Sequence, residues 1–145
     1  MATAMKLTED MVLLDQQFDT EEAAIRAAGK LLVDHGFVRP AYVDSMLARN
    51  EMSSVYIGNH VAIPHGTEEA KSEVEKSGLS ILQVPGGVTF GTEPAKLIIG
   101  IAGVGDEHLE ILSNIAVICS DEDNVEQLIQ AKTKQEIIEL LSMEV

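Results

Sequence analysis

The segment from Leu97 to Ala102 constrains the fold more than any other part of the chain. It reads Leu-Ile-Ile-Gly-Ile-Ala, so that apolar residues occupy both of its alternating faces. A strand that is apolar on both faces is typical of the middle of a sheet that is covered on each side. We therefore predict that Leu97–Ala102 is a central β-strand with other elements packed above and below it.

The remaining predicted elements alternate between strands and helices. Short apolar runs between turn residues predict strands at Met11–Leu14, Ser54–Ile57, Val61–Ile63 and Leu79–Val84, the last closed by Pro85-Gly86-Gly87. Capping residues and helical spacing predict helices after Asp19, Pro40, Asp106, Asn124 and Thr133. Gly36 is expected to stop the first of these helices, Val43, Met46 and Leu47 to form the buried face of the second, and Thr133 and Glu136 to form a capping box for the last. Because the segment Ser54–Ile63 is hairpin-like, we expect some antiparallel pairing. The predicted class is α/β (α+β), with a mixed parallel and antiparallel central β-sheet covered by helices, in a single domain over residues 1–145.

Charge and cysteine content argue against several classes of protein. The 145-residue chain has a formal net charge of −14 at pH 7, which disfavours nucleic acid and anionic membrane surfaces as partners. An acidic surface either favours a basic protein partner or simply keeps the chain solvated. The single cysteine, Cys119, cannot form an intrachain disulfide. With no apolar segment typical of a signal peptide or a membrane span, a soluble, cytoplasmic protein without direct membrane insertion is expected.

The tripeptide Pro64-His65-Gly66 places a histidine at the predicted end of a strand. Val61-Ala62-Ile63 precedes it, and Pro64 should end that strand because proline has no backbone donor. Gly66 permits a sharp turn or the close approach of a ligand. His65 is therefore a candidate for chemistry, although histidine is equally common in solvent-exposed turns.

His108 is the second candidate, because it opens a predicted helix directly after the central strand and its glycine turn. Loops at strand ends are where functional residues collect in α/β proteins. Two histidines from two strand ends could bind a metal, relay a proton or hold a phosphoryl group. The chain has no His-x-x-x-His or Cys-x-x-Cys pair and no nucleotide phosphate loop. His60 is expected to project away from His65, and His35 to interact only with a helix dipole.

The segment Gly58–Gly66, Gly-Asn-His-Val-Ala-Ile-Pro-His-Gly, resembles the active-site signature of a known family. This is the mannitol/fructose-type enzyme IIA family of the bacterial phosphoenolpyruvate-dependent sugar phosphotransferase system. The similarity covers nearly the whole chain and includes Arg49 and the segment Gly105–Leu109, while Gly86–Gly91 is similar to the mannitol branch. Two positions depart from the family pattern: His60 stands where small residues are usual, and Asn50 where many members carry glutamate.

The resemblance implies that His65 is the phosphoryl acceptor, modified on Nε2, and that His108 and Arg49 complete the active site. It also implies the phosphocarrier protein HPr as donor, a cysteine of a mannitol-type enzyme IIB as acceptor, and no metal or nucleotide cofactor. A neutral imidazole is a competent nucleophile, and a guanidinium can grip two phosphoryl oxygens. The expected function is thus a phosphocarrier that drives mannitol uptake and phosphorylation. A regulatory interaction module switched by histidine phosphorylation and a histidine metal site are the alternatives.

Overall fold

The computed structural model describes residues 7–142, apart from the side chains of residues 68 and 142, and five helices and five strands lie in this range. The strands are β1 (Val12–Leu13), β2 (Tyr56–Gly58), β3 (Val61–Ala62), β4 (Gly78–Phe90) and β5 (Glu93–Ala102). The helices are α1 (Glu21–Asp34), α2 (Ala41–Met52), α3 (Glu107–Cys119), α4 (Glu122–Gln130) and α5 (Lys134–Ser142). Two 3-10 segments cover Glu9–Met11 and Glu68–Glu73.

The five strands form one mixed sheet in the order β1-β4-β5-β3-β2. The long strands β4 and β5 pair antiparallel, as do β2 and β3, whereas β1 runs parallel to β4 and β3 runs parallel to β5. The strand predicted to be central is therefore confirmed as β5, and the predicted mixed sheet is confirmed with it. No helix within the described range is long and apolar enough to cross a membrane.

The apolar residues of β5 divide between two cores, one on each face of the sheet. Ile98 and Ala102 pack with α1 and α2 on one face, through residues that include Ile25, Leu32 and Met46. Leu97, Ile99 and Ile101 pack with α3, α4 and α5 on the other face, through residues that include Ile115, Leu128 and Ile137. Burial on both faces explains why this strand reads as a continuous apolar run.

The strand predicted over Leu79–Val84 is longer than its sequence suggests. Pro85-Gly86-Gly87 was expected to close it, yet β4 continues to Phe90, and pairing with β5 covers Gly78–Gln83 and resumes over Val88–Phe90. The register is irregular between Gln83 and Val88, and such an irregularity is where a sheet tolerates proline and glycine. The predicted strand end was therefore wrong, because pairing with β5 outweighs the local turn signal.

The first helix begins one residue later than predicted. Thr20, not Asp19, is its N-cap, and the Oγ1 atom of Thr20 accepts a hydrogen bond from the backbone N–H of Ala23 at 3.1 Å. Both residue types can cap a helix, so that composition alone does not distinguish the two positions. The helix ends at Asp34, just before Gly36, whose φ of 79° suits the predicted stop.

Candidate active site

The backbone around His65 is held against the end of the central strand. Ile101 donates its N–H to the carbonyl oxygen of Pro64 at 2.9 Å, and His65 pairs in parallel with Ile101 as an isolated bridge. β3 itself ends at Ala62, but its alignment with β5 resumes at His65. His65 thus lies just beyond the end of β3, as predicted, and its pairing with β5 fixes its backbone.

The ring of His65 is held in one tautomer by a local contact. Its Nδ1 atom lies 2.8 Å from the carbonyl oxygen of Ile63. Because a carbonyl oxygen can only accept, Nδ1 carries the hydrogen in this bond, and the lone pair of the neutral ring is then on Nε2. His65 is only 8% exposed. The neutral ring therefore has its lone pair on Nε2 and is largely shielded from water.

The surroundings of His65 favour its neutral form. Burial lowers the pKa of the imidazole below its usual value, and this is the largest effect. The hydrogen bond to the Ile63 carbonyl opposes it by raising the pKa, while the nearby charges of His108 and Arg49 lower the pKa further. A neutral ring with a free lone pair is the form that attacks an electrophile.

His108 lies beside His65, as the sequence predicts for two histidines at neighbouring strand ends. The centroids of the two rings are 5.4 Å apart, with their planes at 56°. Gly103 makes this approach possible, since a Cβ atom there would lie 2.6 Å from the backbone nitrogen of His108. Only glycine lets the first turn of α3 fold back so closely against the end of β5.

Ser77, the residue before β4, secures the loop that leads to His108, a role that sequence reasoning missed. Its Oγ atom accepts a hydrogen bond from the N–H of Val104 at 2.9 Å and donates one to the Oε1 atom of Glu107. Asp106, the predicted cap of α3, makes no side-chain capping bond. A serine just before β4 therefore holds the first turn of the helix that carries His108.

Arg49 approaches the site from the last turn of α2. It is half-buried, and its Nη1 atom donates to the carbonyl oxygen of Ser53 at 2.8 Å. Its charge acts on His65, where it lowers the pKa of the imidazole. The rings of His65 and His108 thus lie side by side, and Arg49 is close enough for its charge to act on His65.

Tyr42 links the two strand ends that form the site. Its hydroxyl accepts a hydrogen bond from the N–H of Gly66 at 2.9 Å and donates one to the carbonyl oxygen of Ile101 at 2.9 Å. Burial raises the pKa of this phenol, so that the donor proton is retained at neutral pH. Sequence reasoning missed Tyr42, although it stands four residues before Met46 on the predicted buried face of α2.

Gly66 is required beside Tyr42 because no side chain fits there. A Cβ atom would lie 2.5 Å from Cε1 of Tyr42 and 2.6 Å from Oγ of Ser45. A small cleft opens next to this contact and is lined by Thr67, Lys71 and His108 among others. The cleft therefore combines backbone, hydroxyl and cationic groups, which suit an anionic ligand.

Comparison with known proteins identifies the family. The family model described as "Phosphoenolpyruvate-dependent sugar phosphotransferase system, EIIA 2" matches residues 5–144. The chain belongs to this family. Membership makes it a phosphotransferase component of a sugar phosphotransferase system, which confirms the resemblance seen in the sequence.

Several relatives of this EIIA 2 protein are similar over nearly their whole length. The mannitol-specific phosphotransferase enzyme IIA component of Enterococcus faecalis is 53% identical over 141 residues, which cover 94% of this chain and 97% of the relative. The corresponding component of Bacillus subtilis is 50% identical over 137 residues, covering 94% and 96%. The chain therefore aligns with these relatives over most of its length.

Two solved structures from Escherichia coli share the fold of this EIIA 2 protein. One is the complex of enzyme IIAMTL and phosphorylated enzyme IIBMTL, with a TM-score of 0.90, 39% identity, and coverage of 95% of this chain and 98% of that one. The other is the crystal structure of IIA mannitol, with a TM-score of 0.88, 40% identity, and coverage of 94% and 99%.

Three exposed apolar side chains of this EIIA 2 protein lie close in sequence to Arg49 and His108. Met52 is 73% exposed in the turn of α2 that carries Arg49, and Val104 and Leu109, near His108, are 45% and 64% exposed. Exposed acidic residues, Asp106 and Glu110 among them, lie next to this group. An apolar centre beside polar residues is the usual composition of a protein-binding surface.

The other candidate groups lie apart from the site. His60 is exposed, and its Nδ1 atom is 3.2 Å from the carbonyl oxygen of Pro94, whereas His35 is the C-cap of α1. Burial raises the pKa of the Cys119 thiol to about 11, so that it stays protonated. Among residues 7–142, no group of three or more histidine, cysteine, aspartate or glutamate side chains could hold a metal ion.

Proposed function

We propose that this chain is the phosphocarrier of a mannitol-type phosphotransferase system, working as one enzyme IIA domain over residues 1–145. His65 accepts a phosphoryl group from phosphorylated HPr and passes it to a cysteine of enzyme IIB. The observation that carries the proposal is the buried His65 ring with Nδ1 bonded to the Ile63 carbonyl, which leaves Nε2 as the nucleophile. The mannitol-specific relatives and the Escherichia coli complex with phosphorylated enzyme IIB support the sugar and the acceptor. We place the protein in the cytoplasm, where both partners would meet it.

The first transfer exchanges one phosphorus–nitrogen bond for another. The lone pair on Nε2 of His65 attacks the phosphorus, and the bond to the HPr histidine breaks as its electron pair returns to that ring. Positive charge develops on the His65 ring during attack, so its Nδ1–H becomes a stronger donor. The Ile63 carbonyl already accepts this hydrogen at 2.8 Å, and it therefore stabilises the product without rearrangement.

Arg49 and His108 act on the phosphoryl oxygens. The transition state of phosphoryl transfer is loose, with negative charge spread over three oxygens, so that catalysis is mainly positioning and charge stabilisation. A guanidinium offers paired donors to two of these oxygens, and the His108 ring lies near enough to His65 to donate to the moving group. The low exposure of His65 limits attack by water on the phosphohistidine.

The second transfer delivers the phosphoryl group to sulfur. The thiolate of an enzyme IIB cysteine attacks the phosphorus, a phosphorus–sulfur bond forms, and the electron pair of the broken bond returns to Nε2. His65 is then neutral again and ready for the next cycle. Phosphohistidine is already an activated donor, so the exchange needs no nucleotide.

The apolar surface formed by Met52, Val104 and Leu109 is the contact that we assign to both partners in turn. Each partner must bring its own reacting atom to His65, and exposed apolar groups around the site provide contact area with little desolvation penalty. The acidic residues next to this surface, such as Asp106 and Glu110, would face a basic partner and speed its approach.

The test is a labelling experiment with the phosphoryl group. Phosphorylated HPr carrying labelled phosphate should label the protein on His65, and addition of a mannitol enzyme IIB should move the label to that partner. Full labelling of a His65→Ala variant would contradict the assignment. Label that reaches His65 but passes to no enzyme IIB would instead support the regulatory alternative, and enzyme IIB proteins of other sugars test the preference for mannitol.

The supporting roles of Arg49 and His108 can be measured in the same assay. Arg49→Ala and His108→Ala should both fold and still be labelled on His65, but the transfer should be about a hundredfold slower, which is typical for loss of one preorganised donor. Wild-type rates in both variants would show that neither side chain touches the phosphoryl group.

A further inference from the structure

Asn50 follows Arg49 in the last turn of α2, and both ends of its side-chain amide are hydrogen-bonded. The Nδ2 atom donates to Oε2 of Glu21, and the Oδ1 atom accepts from the N–H of Val55 at 3.1 Å. The other carboxylate oxygen of Glu21 accepts from the N–H of Gly91 at 2.9 Å. We call the two side chains and these three bonds the Glu21–Asn50 latch.

The latch connects four segments of chain that are distant in sequence. Glu21 is the first residue of α1, Asn50 is near the end of α2, Val55 precedes β2, and Gly91 lies at the β4–β5 turn with a φ of 66°. The ends of helices fray unless something holds them, because their last carbonyl groups have no partner within the helix. The latch therefore anchors the last turn of α2 to the rest of the fold.

Arg49 depends on the position of that last turn. Its side chain bonds to the Ser53 carbonyl just beyond the helix, and its backbone carbonyl accepts from the N–H of Ser53 at 3.3 Å. Because both the side chain and the backbone carbonyl of Arg49 bond to Ser53, any movement of the end of α2 would carry the guanidinium with it. The phosphoryl group on His65 requires the guanidinium at a fixed place, because misplacement by about 1 Å is enough to slow a reaction strongly.

We propose that Glu21 and Asn50 are positioning residues, and that the latch between them holds Arg49 in place for phosphoryl transfer. The inference rests on the proposed role of His65 and Arg49. The latch residues act through Arg49 and do not touch the reacting atoms. The amide of Asn50 suits this arrangement, since it can donate to Glu21, whereas a glutamate at position 50 would set two carboxylates against each other.

The first experiment measures transfer from phosphorylated HPr in variants of the latch. Asn50→Ala changes no charge and removes both amide bonds, and it should slow transfer by about tenfold or more. Glu21→Ala should do the same, while Glu22→Ala is the matched control because it removes an equal charge from the same first turn of α1, at an exposed position. Unchanged transfer in a folded Asn50→Ala protein would overturn the proposal.

A double-mutant cycle shows whether the latch acts through Arg49. In the background of Arg49→Ala, the change Asn50→Ala should cause no further loss of rate, because the group that it positions is already gone. A merely structural role predicts a different result, namely the same loss of rate in both backgrounds. Equal losses would therefore overturn the proposal even if both variants are stable and folded.

A second readout needs no phosphoryl transfer and so separates the latch from the proposed function. The titration of His65 can be followed by NMR in the unphosphorylated protein. Asn50→Ala and Arg49→Ala should both raise the pKa of His65, because the positive charge of Arg49 moves away or is lost. Glu21→Ala should also raise it, whereas Glu22→Ala, which only removes a negative charge, should lower it slightly or leave it unchanged. If the pKa of His65 rises in none of the latch variants, the proposal for the latch is wrong, whereas the proposed role of His65 in phosphoryl transfer is not affected.

A charge-reversed pair keeps the test valid if Asn50→Ala does not fold. Asn50→Glu alone should slow transfer, because its carboxylate faces Glu21. The double variant Glu21→Lys/Asn50→Glu restores attraction between the same two positions, but a lysine cannot accept from the N–H of Gly91, so it should recover only part of the rate that Asn50→Glu loses. Thermal unfolding of each variant establishes that the protein is folded. A single Asn50→Glu variant as active as the double variant would overturn the proposal.

Discussion

Replacing Tyr42 by phenylalanine removes one oxygen atom that connects the two strand ends of the active site. The Tyr42 hydroxyl accepts from the N–H of Gly66 and donates to the carbonyl oxygen of Ile101, both at 2.9 Å. The side chain is 2% exposed, so water cannot easily replace these bonds. Because the phenyl ring keeps its packing, the change isolates the loss of the hydrogen bonds.

The expected loss of stability comes from the backbone N–H of Gly66, which loses its acceptor in Tyr42→Phe. The Gly66 N–H would remain buried without an acceptor, and an unpaired buried polar group costs about 1–3 kcal/mol. We therefore expect the free energy of unfolding to fall by about 2 kcal/mol, and the Tm by about 7 °C at about 3–4 °C per kcal/mol for a domain of this size. Transfer to His65 should also slow by about threefold to tenfold, because Gly66 fixes the backbone next to the nucleophile.

Tyr56→Phe is the matched control for this prediction. The Tyr56 hydroxyl also accepts from a backbone N–H, that of His60 at 3.1 Å, but His60 is exposed, so that water can take over the bond. Its loss should change stability by less than about 0.5 kcal/mol. Urea unfolding followed by circular dichroism measures both variants. Equal losses of stability in Tyr42→Phe and Tyr56→Phe would refute the reasoning.

Alkaline pH provides a second signature of the Tyr42 hydroxyl. Burial raises the pKa of Tyr42 above its usual value near 10, so the unfolded chain releases this proton at lower pH than the folded one. The stability that the neutral phenol contributes is therefore complete below about pH 10 and is lost as the pH rises further. The difference between wild type and Tyr42→Phe should narrow above about pH 10, and a constant difference would contradict this account.

Three further predictions concern the rest of the site. The pKa of His65 is lowered in the folded protein, so its neutral ring contributes stability above about pH 6.5 that is lost as the pH falls through the folded pKa. Between pH 7 and pH 5, the free energy of unfolding measured in urea should therefore fall less in His65→Gln than in wild type. Equal falls in the two proteins would contradict this prediction. Ser77→Ala should reduce stability by about 1 kcal/mol and slow transfer through His108, whereas Ser113→Ala, an exposed serine on α3, should do neither. Raising the salt concentration should lower the bimolecular rate of transfer from HPr but not the rate of transfer within the complex. A bimolecular rate that does not change with salt would show that the acidic residues do not speed the approach of HPr, and the apolar contact would then be the sole basis of docking.

Local sequence patterns predicted those parts of the fold that depend on few neighbours. The strand β5 was recognisable because both of its faces are apolar, and it lies in the middle of the sheet. The pair Thr133 and Glu136 was predicted as a capping box of the last helix. This is confirmed, since Glu136 N–H donates to Thr133 Oγ1 at 3.1 Å and Thr133 N–H donates to Glu136 Oε1 at 3.0 Å. Such motifs need only residues three positions apart.

Distant pairing accounts for what the local pattern could not predict. The expected end of β4 at Pro85-Gly86-Gly87 was wrong because Val88 lies opposite Ala95 and Phe90 opposite Glu93 in the hairpin with β5. Two strands that are joined by a tight turn align each other, and a break in register absorbs the proline. The sequence shows the turn residues but not the partner that overrides them.

The candidate active site has the same division between local and distant contacts. His65 is bonded to the carbonyl of a residue only two positions earlier, and its motif could be read directly from the chain. Tyr42 contacts Gly66 across 24 positions, Asn50 contacts Glu21 across 29, and Ser77 contacts Glu107 across 30. A single sequence does not indicate which polar residues at such separations will meet.

This division also determines how the site should respond to mutation. The tautomer of His65 depends on the Ile63 carbonyl, which no side-chain substitution removes, so the position of the phosphoryl label should survive changes elsewhere. Tyr42, Ser77 and the Glu21–Asn50 latch instead hold the elements that carry Gly66, His108 and Arg49. Their loss should reduce the rate of transfer while the label stays on His65. In the proposed mechanism, the place of phosphorylation follows from a local backbone contact, and the speed of transfer follows from contacts between distant parts of the chain.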